Sequence, residues 1–256
     1  MAISDQLRDL TTRTQSELSR ASNYYNHTKV SRRLVQRLVA EGRTIDIENR
    51  DTGNKTDGPS LAGLAQGYVT GYLAESVFQH YVTLFEDYTS GLIGAWLTAH
   101  PKGIVGLNAY ENDEKSKNAE RAVPLSFIID NPDRESILRA VVDRELDHLK
   151  YRSLAASFDY LEKRAKLGVP TPGQIETLAE IKASRNILVH NRGIVNQTYL
   201  LKSGAKARYA DGARIEISEP YLRDSWLLIA QVVGETSAAA IAKLEKPPAG
   251  GGAPGP

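Results

Sequence analysis

The chain contains no cysteine, a single methionine and only 7% aromatic residues. The lack of cysteine excludes disulfides, thiolate metal sites and cysteine nucleophiles. No apolar run approaches the ~18 residues of a membrane span, and the amino terminus has no apolar signal core. We therefore expect a cytoplasmic protein with no membrane partner. The 41% apolar content and net charge of +1 are ordinary for a globular chain of 256 residues.

Apolar residues recur at helical spacing through most of the chain, which predicts an all-α bundle. The helices are expected at 4–21, 28–41, 133–150, 150–167, 172–191 and 219–246, with 60–100 forming either two helices or one long kinked helix. Residues 1–246 are then a single domain, in which the helices of 4–41 either belong to the bundle or extend it. The tail, 247–256, consists of Pro, Gly and Ala and is expected to be disordered.

Three segments depart from this helical pattern. Asp211-Gly212 lies between two β-prone runs, which predicts one small β-hairpin near 198–217. The turn-rich stretch 48–59 and the segment 101–124 are expected to be loops.

Glycine recurs every fourth residue at Gly63, Gly67 and Gly71. Each glycine costs a helix up to ~1 kcal/mol relative to alanine. The repeat therefore indicates a helix backbone packed closely against another helix of the chain or against a second subunit.

The segment 185–193, RNILVHNRG, is where the chain most resembles a chemical site. It ends a helical pattern and combines a guanidinium, an imidazole and two amides. At ~100° per residue, Arg185 falls within the apolar arc and requires a carboxylate, a wet cleft or a bound anion. Asn186 and His190 are four residues apart and share a face, and Gly193 supplies a left-handed stop.

These residues resemble the HEPN domain, an all-helical family that includes many toxin and antiviral ribonucleases. The resemblance lies in Arg185, the polar Asn186, a three-residue gap, and His190 followed by Asn191 and Gly193. It implies a metal-independent endoribonuclease, acting as a toxin or phage-defence effector, that leaves a 2′,3′-cyclic phosphate. A looser Arg-to-His pattern, with six intervening residues instead of four, also occurs at Arg20–His27, without the polar residue straight after Arg or the closing Asn-x-Gly.

The expected chemistry needs neither a metal nor a cofactor. Histidine can exchange a proton between the RNA 2′-hydroxyl, water and the leaving 5′-oxygen, and we assign this role to His190. Arg185 would bind the phosphate oxygens as their charge builds, and Asn186 would orient either group. Glu145, Asp147 and His148 are interpreted as surface ion pairs, because no second cluster has ligand spacing. His80 is interpreted as an ordinary core or surface histidine.

Positive charge is concentrated beside this segment. Between residues 182 and 214 there are seven basic residues and one acidic residue, Asp211. Such a concentration favours an RNA partner. The suspected RNA-binding residues are Lys182, Asn191, Arg192, Lys202, Lys206 and Arg208.

Ile187 is the basis for a predicted homodimer. On the helical map it lies beside His190, on the side shared with Glu176, Glu180 and Ala183, which should face solvent in a monomer. An apolar residue there is explained if a second protomer covers it and brings a second histidine into the cleft.

Two alternative functions fit the same residues: a nucleic-acid or nucleotide-binding module without turnover, and a structural or partner-binding bundle. An antitoxin or regulatory partner encoded nearby is a further possible partner. In one family variant a tyrosine two residues after the histidine accepts adenylylation. Arg192 occupies that position here, which argues against this mode of regulation.

Overall fold

The computed structural model describes residues 2–43, 47–48, 53, 55–101, 133–150 and 153–246. Within these ranges the regular secondary structure is helical apart from two very short strands, which confirms the all-α class. β1 (Ile47–Glu48) and β2 (Lys55–Thr56) pair antiparallel. The tail 247–256 and, except for Pro101, the predicted loop 101–124 lie outside the described residues.

The amino-terminal helix, α1 (Ile3–Ala40), is continuous over 38 residues. The prediction of two helices at 4–21 and 28–41 is therefore wrong. The polar stretch between them contains neither glycine nor proline, the two residues that interrupt helices most strongly. Val30 and Leu34, in the second half of this helix, are exposed.

The segment 60–100, expected as two helices or one long kinked helix, consists of three consecutive helical pieces. α2 (Gly58–Gly67) passes into a π-helical turn (Tyr68–Leu73) and then into α3 (Ala74–Ala99). A methyl group built on Gly63, Gly67 or Gly71 would meet no atom within 4 Å. For the described residues, the prediction that this glycine repeat packs closely against another helix of the chain is therefore wrong.

The remaining helices include the one that ends in the RNILVHNRG segment. That helix, α6 (Pro172–His190), opens with a reciprocal cap. The Thr171 N–H donates to Gln174 Oε1 at 2.7 Å, and the Gln174 N–H donates to Thr171 Oγ1 at 3.3 Å. Pro172 occupies its first position, as predicted. The bounds are α4 (Arg134–Lys150), α5 (Leu154–Ala165), α6 (Pro172–His190), α7 (Gln197–Ser203), a 3₁₀ turn (Gly204–Lys206) and α8 (Glu219–Leu244).

The predicted β-hairpin near 198–217 is not formed. Its first half is α7, which begins after Asn196, whose side chain accepts a hydrogen bond from the Tyr199 N–H at 3.0 Å. The Asp211-Gly212 turn does exist, with Gly212 at φ 76°. Its second arm instead meets the residues just after α6, through a bridge between Ile194 and Arg214.

The contacts divide the chain into two compact units. One comprises Met1–Thr12, Glu86–Ile175 and Val232–Pro256, and the other comprises Arg13–Phe85 and Glu176–Gln231. In the first unit the buried Tyr88 hydroxyl bonds to Thr236 and Ser237 at 2.7 and 2.6 Å. The second unit contains the whole RNILVHNRG segment. The single domain expected over 1–246 stays a prediction.

Among the described residues, α8 is long and apolar enough to cross a membrane by length and composition, with a mean hydropathy of 1.4. Leu222, Ile229, Val232, Val233 and Ala240 are nevertheless buried. This face of α8 is therefore buried within the protein.

Candidate functional site

The carboxyl end of α6 turns sharply at the predicted glycine. The Ile187 carbonyl accepts hydrogen bonds from the N–H groups of Asn191 at 2.9 Å and Gly193 at 3.0 Å. Gly193 has φ 78°, which confirms the left-handed stop, and Arg192 is also left-handed at φ 54°. A non-glycine residue rarely adopts this conformation. The backbone after His190 is therefore fixed in an unusual geometry.

The three predicted catalytic residues lie in the last two turns of α6. His190 is the final residue of the helix and is exposed. Arg185 and Asn186 are half-buried, and the Nε atom of Arg185 lies inside the fold. One rigid helix thus presents an accessible imidazole and, more than a turn earlier, a partly enclosed guanidinium.

Ile187 is not on a solvent-facing side of α6. It is only 5% exposed in the single chain, and Glu180 and Ala183, on the same side, are buried as well. The expectation that this side faces solvent is wrong, which removes the observation that placed a dimer interface at Ile187. Leu178 and Ile181 are buried on another side, so α6 is enclosed around much of its circumference rather than amphipathic. Val189, beside His190, is the apolar residue that is exposed, at 49%.

Glu180 is the centre of a buried polar network on α6. Its side chain is 3% exposed, and its Oε1 accepts hydrogen bonds from Ser184 Oγ at 2.7 Å, the Tyr199 hydroxyl at 2.9 Å and Arg208 Nε at 3.0 Å. Its Oε2 accepts from the Tyr221 hydroxyl at 2.7 Å. A buried carboxylate is tolerated when it is paired and fully hydrogen-bonded, and Glu180 meets that condition.

Arg208 supplies the positive charge of this network. Its guanidinium carbon lies 3.3 Å from the centre of the Tyr221 ring and 4.9 Å from that of Tyr209, which is cation–π geometry. Its side chain is 26% exposed, and its charge is balanced by Glu180. Burial, followed by the nearby Glu180 carboxylate, raises the pKa of Tyr221 well above its usual range. Tyr221 therefore remains a neutral hydrogen-bond donor to Glu180.

The suspected RNA-binding residues fall into two groups. Arg192, Lys202 and Lys206 are exposed and can meet a polyanion. The others are at least partly enclosed: Lys182 is half-buried, Asn191 donates its side-chain amide to the Ile194 carbonyl, and Arg208 is engaged by Glu180.

Other candidate groups do not assemble into a second site among the described residues. No three of their His, Asp or Glu side chains are placed to hold a metal ion. Asp147, His148 and His80 are exposed. Two clefts, of about 440 and 500 Å³, share Tyr25 and Glu219 in their walls, and neither is lined by Arg185 or His190.

Sequence reasoning missed the Glu180 network because a glutamate between Ala179 and Ile181 in an amphipathic helix is expected to face solvent. The available signal was the recurrence of tyrosines at 199, 209 and 221 on both sides of Arg208, which is a weak pattern without the fold. Comparison of the chain with protein-family models, curated proteins and solved structures gives no match.

Proposed function

We propose that the protein is a metal-independent endoribonuclease of the HEPN type, with His190 and Arg185 as its catalytic residues. The observation that carries the proposal is the end of α6, where an exposed imidazole follows a half-buried guanidinium on one rigid helix. Exposed cations at Arg192, Lys202 and Lys206 lie in the residues that follow. They favour a polyanionic substrate, because phosphate binding depends on such charges.

The reaction is a transesterification within RNA. His190 takes the proton from a 2′-hydroxyl, and the 2′-oxygen attacks the adjacent phosphorus. The bond from phosphorus to the 5′-oxygen breaks, leaving a 2′,3′-cyclic phosphate. Arg185 stabilises the negative charge that builds on the non-bridging oxygens. Asn186 orients either the His190 imidazole or the Arg185 guanidinium.

The leaving 5′-oxygen needs a proton in the same step. A single imidazole that has just accepted one proton cannot immediately supply another at a different position. A homodimer, with a second His190 acting as the acid, supplies it directly. With Ile187 buried, exposed Val189 becomes the apolar candidate beside His190 for covering by a second copy.

Cleavage of a labelled RNA in the presence of EDTA tests the proposal. Wild type should produce fragments ending in a 2′,3′-cyclic phosphate, identified by mass spectrometry, and His190→Ala should lower the rate by about 100-fold or more, the usual contribution of proton transfer. Activity that disappears with chelator and returns with Mg²⁺ or Mn²⁺ would contradict it. RNA binding without cleavage would indicate the non-catalytic binding module instead.

A toxin or phage-defence role extends the proposal to the cell. Induced expression should arrest growth, and His190→Ala should relieve the arrest. An antitoxin or regulatory partner encoded beside the gene should suppress the arrest caused by wild type. Growth arrest that is unchanged in the His190→Ala strain would separate toxicity from the proposed chemistry.

A further inference from the structure

Glu180 is linked by side-chain hydrogen bonds to both ends of the chain segment 199–208. At one end the Tyr199 hydroxyl donates to Glu180 Oε1 at 2.9 Å, and at the other Arg208 Nε donates to the same oxygen at 3.0 Å. The Arg208 N–H also donates to the Tyr199 hydroxyl at 3.1 Å, which closes the loop between them. Both ends of this segment are therefore tied to α6 through one carboxylate, and Arg208 also donates to Ser184 Oγ on α6 at 3.3 Å.

Lys202 and Lys206 lie between these two tie points and are both exposed. Glu180 itself is on the helix that carries Arg185 and His190. A change in the Glu180–Arg208 pair would therefore shift Lys202 and Lys206 relative to the His190 imidazole. The chemistry of these three side chains would stay the same.

Stability alone is a weak explanation for this pair. Burying the Glu180 carboxylate carries a large desolvation cost, and uncharged side chains of similar volume often preserve or improve stability. A carboxylate that accepts several directional hydrogen bonds does fix the positions of the groups that donate to it. Arg208 adds to this by its contact with the Tyr221 ring at 3.3 Å.

We propose that Glu180 and Arg208 are positioning residues that hold Lys202 and Lys206 where a single-stranded RNA crosses the end of α6. This inference rests on the function proposed above. Glu180 and Arg208 do not touch the reacting phosphate. They act through the two lysines, which bind RNA backbone phosphates flanking the site of cleavage.

The test uses an uncharged replacement, E180Q/R208M. The amide introduced at position 180 keeps an oxygen that can accept from Tyr199 or Tyr221, and the thioether side chain at position 208 keeps an apolar stem against the Tyr221 ring. Thermal stability should therefore change little. The KM for a mixed-sequence single-stranded RNA should rise about 10-fold with kcat nearly unchanged, the signature of lost uniform binding. The slope of log affinity against log salt should fall by about 1.4, as expected for two lost phosphate contacts to a single strand.

K202Q/K206Q is the matched control. It should reproduce both changes, and adding it to E180Q/R208M should have little further effect, because the two pairs act on the same contacts. Fully additive losses would overturn the proposal, as would an unchanged KM and salt slope in folded E180Q/R208M.

Hydrogen exchange separates failure of this inference from failure of the proposed function. Residues 199–208 should exchange faster in E180Q/R208M than in wild type, while the buried stretch around Tyr88 stays protected. If wild type neither binds nor cleaves RNA, the proposed function fails, and faster exchange still shows that the pair holds the segment. Unchanged exchange together with normal RNA binding by wild type would overturn the positioning role alone.

Discussion

At the residue scale, exposure determines what substitutions at the end of α6 should do. His190 is exposed, whereas Arg185 is half-buried with its Nε inside the fold. His190→Ala should therefore leave the unfolding temperature nearly unchanged, and Arg185→Ala should lower it.

If both residues act in one chemical step, the double variant should lose little more activity than the slower single variant. Single-turnover RNA cleavage measures this, and losses that add fully in log rate would mean that the two residues act independently.

Ile187 and Val189 form a second residue-scale test, because they are two apolar positions with opposite exposure. Ile187→Glu places a charge in the interior, and we expect it to lower the free energy of unfolding by about 3 kcal/mol or more. Val189→Glu should leave the fold intact, because Val189 is 49% exposed. Urea unfolding followed by circular dichroism compares the two.

The same pair of variants also addresses the proposed dimer. If a second copy covers the end of α6, folded Val189→Glu should be monomeric by light scattering where wild type is dimeric. A wild type that is monomeric at working concentration and still cleaves RNA would rule out the shared site.

Single-residue exposure was only partly predictable from the sequence. The left-handed turn at Gly193 followed from backbone chemistry alone, since glycine is the residue that most readily takes positive φ. The burial of Glu180 and Ile187 did not follow, because a helical map assumes one solvent-facing side. Enclosure of α6 on more than one side depends on segments distant in sequence, such as Tyr199, Arg208 and Tyr221.

At the scale of elements, the glycines of α2 and α3 give opposite expectations for the same substitution. A methyl group at Gly63 meets nothing within 4 Å, whereas at Gly91 it would lie 2.8 Å from Leu10 Cδ2. Gly63→Ala should therefore stabilise the protein by up to about 1 kcal/mol through helix propensity. Gly91→Ala should stabilise it less or destabilise it, because Leu10 must move. Thermal unfolding of the two variants tests the contrast, and an equal gain at both sites would contradict the packing at Gly91.

Helices with clear start signals were predictable, and the segment after α6 was not. Thr171, Pro172 and Gln174 mark the start of α6 by local chemistry, and the helix begins there. The residues at 198–201 favour strand locally but form α7, whose start is capped by Asn196 and whose Tyr199 reaches Glu180. Tertiary contacts override a weak β propensity in this way.

At the scale of the whole molecule, five buried or partly buried tyrosines couple the fold to alkaline pH. Burial is the largest cause that raises the pKa of each of them above its ordinary value of 10.0. They are Tyr25, Tyr81, Tyr88, Tyr199 and Tyr221.

The direction of the resulting pH dependence follows from linkage. A group whose pKa is higher in the folded than in the unfolded state stabilises the fold fully below the unfolded pKa. That contribution is lost as pH rises towards the folded pKa, because the unfolded chain releases the proton first. Stability should therefore be insensitive to these tyrosines at neutral pH and should fall steadily above about pH 10.

Urea unfolding at a series of pH values, with tyrosinate absorbance recorded in parallel, tests this expectation. The tyrosinate absorbance contributed by these five residues should appear together with loss of helical circular dichroism, since their hydroxyls ionise when the fold opens. Tyr88→Phe is the informative variant, because its hydroxyl bonds to Thr236, Ser237 and the Val233 carbonyl. It should reduce stability at pH 7, where those partners lose a hydrogen bond, yet show a shallower decline above pH 10. The prediction would be contradicted if all tyrosines titrated near pH 10 while the helical signal stayed intact. That result would mean that the five hydroxyls are accessible to water in the folded protein.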